Sequence, residues 1–243
     1  MAERKQCFVH PLLVPFAAPN NKPLANTPRH LPNWCMNNDP DLDRAYALET
    51  PDDSVALYAD WADSYDSSFA QASGYVLHLE VARHYVLMGG FGPVLDVGAG
   101  TGLCGAALAD RGVGPIDGTD ISPQMLDQAR AKGIYRNLFA ANLLEGLSPP
   151  DGLYQGAISS GTFTNGHVGP AGIDRVLDAV RPGGWIVLSV NTQHYVSAGF
   201  AAKMVQIAPH ITDSSETEVA IYAQDATGPH ARDTALLLAF RKV

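Results

Sequence analysis

From Pro93 onward the chain alternates short apolar runs with stretches of helical period. Val94-Leu95-Asp96-Val97 predicts a strand, and Leu103 to Asp110 a helix closed by Gly112. Pro115 to Asp120 predicts a second strand, after which Ser122-Pro123 caps a helix through Met125, Leu126 and Ala129, closed by Gly133. A third strand is read over Tyr135 to Ala140 and a fourth over Leu153 to Ser159. A helix follows over Pro170 to Val180, then a fifth strand over Trp185 to Val190. Strands separated by helices of this length imply right-handed crossovers and a parallel sheet. The tail changes character. Tyr195 to Ile207 reads as a helix, and Glu216 to Ala223 and Thr234 to Phe240 as strands joined by the turn-rich Gln224 to Pro229. Consecutive strands with no helix between them pair antiparallel at a sheet edge.

Ahead of Pro93 the pattern is helical. Thr50-Pro51-Asp52-Asp53 supplies an N-cap, a proline at the first helical position and acids in the first turn. The helix so begun carries Tyr58, Trp61, Ala62 and Tyr65 on one face. A second helix is predicted over Tyr75 to Met88, ended by Gly89-Gly90. Residues 1–40 are rich in Pro and Asn and have neither period, so they read as a poorly ordered extension ahead of a domain spanning 41–243. Met36 opens a segment that reads as an ordinary start, which makes the first 35 residues an expected over-extension; the intact mass of the native protein tests this.

Composition narrows the class. Hydrophobic residues make up 46% and charged residues 17%, as in a globular enzyme. The three cysteines, Cys7, Cys35 and Cys104, are widely spaced and form no CxxC pair, which points to a reducing cytosol and away from a disulfide framework or structural zinc. A net charge of −9 argues against a nucleic-acid backbone as partner. No stretch approaches the ~20 apolar residues of a membrane span, so no membrane partner is expected. No His/Asp/Glu constellation suggests a metal.

The strongest chemical signal is the run from Val94 to Leu103, an apolar strand leading through Gly98-Ala99-Gly100-Thr101-Gly102 into a helix. Glycines in such a turn let a ligand approach the main chain, and the first helical N–H groups lie beside it. Asp120, at the end of the next strand, stands where a carboxylate accepts hydrogen bonds from both ribose hydroxyls. Leu103 occupies the position that would complete a dinucleotide fingerprint, and no Gly-Lys-Ser/Thr follows to make a P-loop. Asp96 sits two residues before the tightly spaced glycines. The pattern suits adenosine with an amino-acid tail better than a diphosphate.

On these residues the chain resembles the class I S-adenosylmethionine-dependent methyltransferases, from about Tyr46 to the C-terminus. Asp96 to Gly102 is similar to that family's first motif and Asp120-Ile121-Ser122 to its second, with Met125-Leu126 following. Ala141-Asn142-Leu143 occupies the third-strand position near adenine, and Arg181-Pro182-Gly183-Gly184 is similar to the turn before strand five. Tyr58 to Asp66 resembles the N-terminal helix that closes over the cofactor. The run Ser159 to Pro170 resembles a bacterial group of small stand-alone enzymes related to the Williams–Beuren-region methyltransferase-like proteins. Asn142 departs from the usual Asp but keeps an acceptor oxygen for the adenine amine, and Gln155 stands where an acid is common.

The resemblance implies a Rossmann-like α/β fold: a seven-stranded, mostly parallel sheet with helices on both faces, an antiparallel C-terminal strand pair and an N-terminal helical cover. It implies S-adenosyl-L-methionine as cofactor, held by Tyr65, Asp96, Gly98, Ala99, Gly100, Gly102, Asp120, Ile121, Asn142, Leu143 and Ser160. The expected reaction is in-line methyl transfer to a small-molecule acceptor, in which alignment supplies much of the catalysis. His167, following strand four at the carboxyl edge, is the candidate general base; its bland alternative is a cap on the Gly169-Pro170 helix entry. Trp61 reads as core, and His78 and His84 as structural or solvated. Tyr195, His194, Phe200 and Met204 are candidates for the acceptor pocket, or for core. The alternatives are a protein methyltransferase, a catalytically silent cofactor-binding regulator, and a nicotinamide-dependent reductase, the last weakened by Leu103.

Overall fold

In the computed structural model, which describes residues 51–149 and 152–243, the sheet is built outward from β1 (Val94–Val97), all of whose residues are buried. β2 (Ile116–Asp120) pairs parallel with β1 on one side, and β3 (Tyr135–Ala140) pairs parallel with β2 beyond it. On the other side β4 (Tyr154–Phe163) pairs parallel with β1, and β5 (Val180–Asn191) with β4. The last two strands are β6 (Ile211–Ala220) and β7 (Thr234–Lys242); β7 runs antiparallel to β5, and β6 antiparallel to β7 at the edge. The order β3-β2-β1-β4-β5-β7-β6 gives the mostly parallel seven-stranded sheet that the sequence predicts. The direction of winding reverses between β1 and β4, and a parallel sheet opens a crevice at its carboxyl ends at such a point.

Alternation along the strands fills two cores, one on each face. Val94, Ile158, Val187 and Leu237 enter one, with Leu77, Val81 and Leu108 packed on them. Leu95, Ala157, Ile186, Leu188 and Leu238 enter the other, against Ile173, Val176 and Phe200. The helices supplying these residues are α2 (Leu77–Leu87) and α3 (Leu103–Ala109) on the first face, and α5 (Gly172–Ala179) and α7 (Phe200–Ile207) on the second. Between them in sequence come α4 (Pro123–Ala131), whose N-cap Ser122 accepts from the Met125 N–H, and α6 (Thr192–Ser197). Among the described residues no helix is long and apolar enough to cross a membrane.

Several expectations change, among them the start of the fifth strand, which moves from Trp185 to Val180, and the sixth strand, which is Ile211–Ala220 in place of Glu216 to Ala223. The helix α1 (Pro51–Trp61) stops at Trp61, and Tyr65 belongs to a separate π-helical segment, Tyr65–Gln71. The predicted stripe survives in part: Trp61 and Ala62 are buried, while Tyr58 and Tyr65 are partly so. The wider winding turns Asp66 toward the glycine loop, where it has two partners, described below. The expected helix over Tyr195 to Ile207 is two helices, α6 and α7, broken at Gly199 with φ +80°. β4 runs on past Ser159 to Phe163, with an irregular register between those two residues where Gly161 takes φ +81°. The expected extension over residues 1–40 and the Thr50 cap lie outside the described residues.

Candidate active site

The chain leaves β1 into Gly98 and Gly100, at φ +65° and +54°. These left-handed angles are costly for any side chain. A Cβ on Gly98 would lie 2.0 Å from the Thr162 hydroxyl of β4, so this glycine allows the loop to pack on the sheet. A Cβ on Gly100 would meet nothing within 4 Å, so this glycine faces open space. The Gly100 N–H donates to Asp120 Oδ2 at 2.8 Å, and the Ser122 N–H donates to Oδ1 at 2.9 Å. These bonds aim the Asp120 carboxylate across the mouth of the loop. Burial raises its pKa, opposed by the amides that bind it.

The crevice beside this loop is lined by Val97, Gly98 and Gly100, by Thr119, Asp120 and Ile121 at the end of β2, and by Ser160, Gly161 and Thr162 of β4. Met125, Leu143, Leu144 and Val168 give it an apolar slot, and Tyr58, Tyr65 and His167 cover it. Of the residues the sequence singled out, Tyr65, Gly98, Gly100, Asp120, Ile121, Asn142, Leu143, Ser160 and His167 therefore meet in one cleft. The Asn142 oxygen accepts from the Leu144 N–H at 3.1 Å and so also caps the turn Leu143–Glu145. Sequence reasoning missed Thr119, whose hydroxyl is buried and makes no hydrogen bond. Its position next to Asp120 on β2 is the signal that could have found it.

Asp96, Ala99 and Gly102 do not line this cleft. Asp96 is 0% exposed and receives the Tyr135 hydroxyl at 2.7 Å on Oδ2, while Oδ1 has no hydrogen bond. Burial pushes its carboxyl up to about 7 against that bond. Strand alternation explains the placement, because Asp96 shares a face with Val94 and lies beneath α3. A Cβ on Gly102 would meet the Tyr135 ring at 2.9 Å, so this glycine serves the same packing.

The π-helical segment is tied to the glycine loop through Asp66. The Thr101 hydroxyl donates to Asp66 Oδ1 at 2.5 Å, and Lys132 Nζ donates to Oδ2 at 2.5 Å and to the Thr101 carbonyl at 2.7 Å. Gln128 reaches Asp63 at 2.7 Å, adding a second tie from α4.

His167 Nδ1 lies 3.0 Å from the Asn165 carbonyl, which can only accept, so Nδ1 carries the proton. Burial lowers the pKa of the ring and keeps it neutral, with His194 adding a smaller push in the same direction. Nε2 is then a bare lone pair, and the Tyr58 hydroxyl donates to it at 2.9 Å. His194 braces this loop, with Nε2 donating to the Val168 carbonyl at 3.0 Å and Nδ1 3.1 Å from the Asn165 side chain. His194, Tyr195, Phe200 and Met204 line no part of the cleft; Phe200 and Met204 are buried in the second core with Tyr195 packed on them. His78 is partly buried, which lowers its pKa to about 4, and buried His84 shifts in the same direction. Among the described residues no group of three or more His, Cys, Asp or Glu side chains is placed to hold a metal.

The loop, the acid after β2 and the strand order are matched by known proteins. Residues 94–184 match the family described as a methyltransferase domain. That match takes in the glycine loop, Asp120 and the strands from β1 to the first part of β5. Human methyltransferase-like protein 27 is 37% identical over 100 residues, 41% of this chain and 40% of that protein, so the match spans under half of this curated relative. The same methyltransferase fold is seen in a TehB-like S-adenosylmethionine-dependent methyltransferase from Corynebacterium glutamicum, with TM-score 0.55 and 17% identity over 77% of this chain and 99% of that one. N-methyltransferase NodS from Bradyrhizobium japonicum, solved with S-adenosylhomocysteine, gives TM-score 0.55 and 18% identity over 82% and 99%. A 1,6-didemethyltoxoflavin-N1-methyltransferase from Burkholderia thailandensis gives 0.53 and 19% over 81% and 92%.

Proposed function

We propose that the chain binds S-adenosyl-L-methionine in this cleft and transfers its methyl group to a small-molecule acceptor. The observation that carries the reading is the Asp120 carboxylate, fixed by the Gly100 and Ser122 amides at the edge of the open space in front of Gly100. A ribose diol there would meet an acceptor already oriented for it, and the unbonded Thr119 hydroxyl adds a polar group beside it. The apolar slot of Ile121, Met125, Leu143 and Leu144 suits the flat face of adenine, with Asn142 at its rim. When bound, the cofactor supplies a methyl group made electrophilic by the attached sulfonium. Tyr65 and Ser160 complete the walls, and His167 Nε2 takes the acceptor's proton.

A small-molecule acceptor is supported by the toxoflavin-precursor enzyme, which holds 1,6-didemethyltoxoflavin alongside S-adenosylhomocysteine on the same fold. The cover over the cleft argues in the same direction, because a protein substrate needs an open groove. The likeness to small bacterial methyltransferases and a place in the reducing cytosol belong to the same proposal. Calorimetric titration with S-adenosylmethionine, S-adenosylhomocysteine and NADH tests it. Micromolar binding of both adenosyl ligands is expected, lost by about 100-fold in Asp120→Ala, since two charge-assisted hydrogen bonds are removed. Binding of NADH alone would overturn the reading in favour of a reductase.

A further inference from the structure

We propose that His194 is a positioning residue for His167. It holds one residue on each side of His167 and so keeps the Nε2 lone pair presented to the cleft. This rests on His167 being the base of the cofactor cleft. His194 itself lines no part of that cleft and acts through the loop after β4.

That loop reaches His167 by a sharp turn. Gly166 takes φ +78°, the His167 N–H donates to the Thr164 carbonyl at 3.1 Å, and the Val168 N–H donates to the Thr162 carbonyl at 3.3 Å. These bonds shape the backbone and leave the imidazole to be set by its own partners. Nδ1 meets the Asn165 carbonyl at 3.0 Å, and Nε2 meets the Tyr58 hydroxyl at 2.9 Å. A carbonyl only accepts, so the first contact puts the proton on Nδ1 and decides which nitrogen keeps a lone pair. The tautomer of His167 therefore depends on where the Asn165 peptide sits.

His194 fixes that peptide from outside. Its Nδ1 lies 3.1 Å from the Asn165 side-chain oxygen and its Nε2 3.0 Å from the Val168 carbonyl, so one rigid ring spans the loop across His167. The Val168 carbonyl also only accepts, which assigns a proton to Nε2 of His194. The contact with Asn165 closes in either charge state. An imidazolium donates to the amide oxygen, and a neutral ring receives the amide N–H once that amide turns over.

The ring is anchored in turn. Asn191, at the end of β5, accepts the His194 N–H at 3.2 Å and the Gln193 N–H at 3.0 Å. Phe200, buried in the second core, meets the imidazole edge to face with 5.2 Å between centroids. A side chain locked by such neighbours holds the group it supports to a tighter geometry than a loop keeps alone. The contacts thus run from the end of β5 through His194 to the loop that follows its parallel neighbour β4. The titratable groups around His167 are Tyr58 from α1, Tyr65 from the π-helical segment and His194 from α6.

Nitrogen-15 NMR of the histidine rings in the full chain, titrated between about pH 5 and 8, reads the tautomer and the titration of His167; His167→Ala assigns its signals. In the unaltered chain His167 is expected as the Nδ1–H tautomer while neutral, with a midpoint below about 6.5. His194→Ala is expected to give a mixture of tautomers and to move the midpoint up toward about 6.5. Its affinity for S-adenosylhomocysteine, measured by calorimetry, should change little. Asn165→Ala removes one of the two ties and should give the same change in weaker form. In the His194→Ala background it should add nothing, because the contact is already gone. His194→Gln keeps an N–H donor for the Val168 carbonyl and should restore part of the tautomer preference. Asn165→Ala carries the test if His194→Ala does not fold. A His167 that keeps its tautomer and midpoint in these variants would overturn the proposal, even with a lowered melting temperature, since that would be a structural role only. Failure of S-adenosylhomocysteine to bind the unaltered chain, with the tautomer still dependent on His194, would count against the cofactor reading and leave the positioning of His167 standing.

Discussion

On one side of the cleft, Gly100 and Asp120 are 20 residues apart and joined by a backbone amide, with the loop seated directly on β1 and β2. On the other, Tyr58 and His167 are 109 residues apart and joined only through side chains. The first side is fixed by main-chain geometry that neighbouring strands impose. The second exists because α1, the π-helical segment and the loop after β4 happen to converge over the same strand ends. Substitutions on the first side should therefore act through backbone shape and affect cofactor binding and folding together. Those on the second should separate chemistry from binding.

The largest effect is expected at Gly98. Gly98→Ala would force a Cβ to within 2.0 Å of the Thr162 hydroxyl at φ +65°, so loop and strand must separate. S-adenosylhomocysteine affinity should fall beyond detection in calorimetry, and the melting temperature by roughly 5 °C or more. Gly100→Ala sharpens the point, because its Cβ meets nothing within 4 Å and only the left-handed backbone is penalised. It should cost about 1–2 kcal/mol of stability while still obstructing the ligand. If Gly98→Ala bound normally, the loop would not be the rigid element described above.

His167→Ala comes next. Loss of a positioned base lowers turnover by about 100-fold or more, while S-adenosylhomocysteine affinity should change little. In its proposed role as base His167 must be neutral, and burial lowers its pKa. The rate in the unaltered enzyme should therefore rise with pH through a value below the ordinary imidazole range of about 6.5 and be flat above it. A rate that keeps rising through pH 8 would remove His167 as the base.

The same contrast explains what could be read beforehand. The ends of β1 and β3 and the cap Ser122 follow from local pattern, as do the glycine loop and its acid, because strand alternation, turn glycines and capping act within a few residues. Phe69, Tyr75 and Tyr222 carry no such mark: each reads as ordinary core, and only the topology brings them together. The sequence points instead to His194, Tyr195, Phe200 and Met204 as acceptor-pocket candidates, which follow β5 but do not line the cleft. The break after Trp61 was hidden for a related reason. Tyr58, Trp61 and Tyr65 keep a helical spacing, and it is the long-range pull of Lys132 and Thr101 on Asp66 that accompanies the wider winding.

That tie joins the two sides, and it is the next thing to break. Asp66→Ala removes both the Thr101 and the Lys132 contact. Asp66 and Lys132 are 42% and 24% exposed, so the ion pair itself is partly screened. The expected result is a cofactor off-rate raised about three- to tenfold, equivalent to one or two net hydrogen bonds, measured by stopped-flow displacement of S-adenosylhomocysteine. Added salt should narrow the difference between the two proteins. An unchanged off-rate would mean that the cover does not hold the ligand in place.

The smallest effect concerns Asp96, an acid of the glycine motif that does not line the cleft. Asp96 and Asp120 are both buried carboxyls near the loop, yet one is held by two backbone amides at the cleft and the other by a tyrosine beneath α3. Burial raises the Asp96 carboxyl to about 7, above its unfolded value of about 3.9. A raised acid favours the folded state while protonated: its contribution is full below the unfolded value and is lost as the pH rises through about 7. Asparagine keeps an acceptor for Tyr135 and cannot ionise, so Asp96→Asn should gain melting temperature relative to the unaltered chain as pH rises, by about 2–4 °C at pH 8.5. Below pH 4 the two should differ little. Its affinity for S-adenosylhomocysteine should fall far less than that of Asp120→Ala, because only Asp120 lines the cleft. Equal losses in the two variants would show that the glycine motif acts on the ligand as a unit, through Asp96 as well as through its backbone.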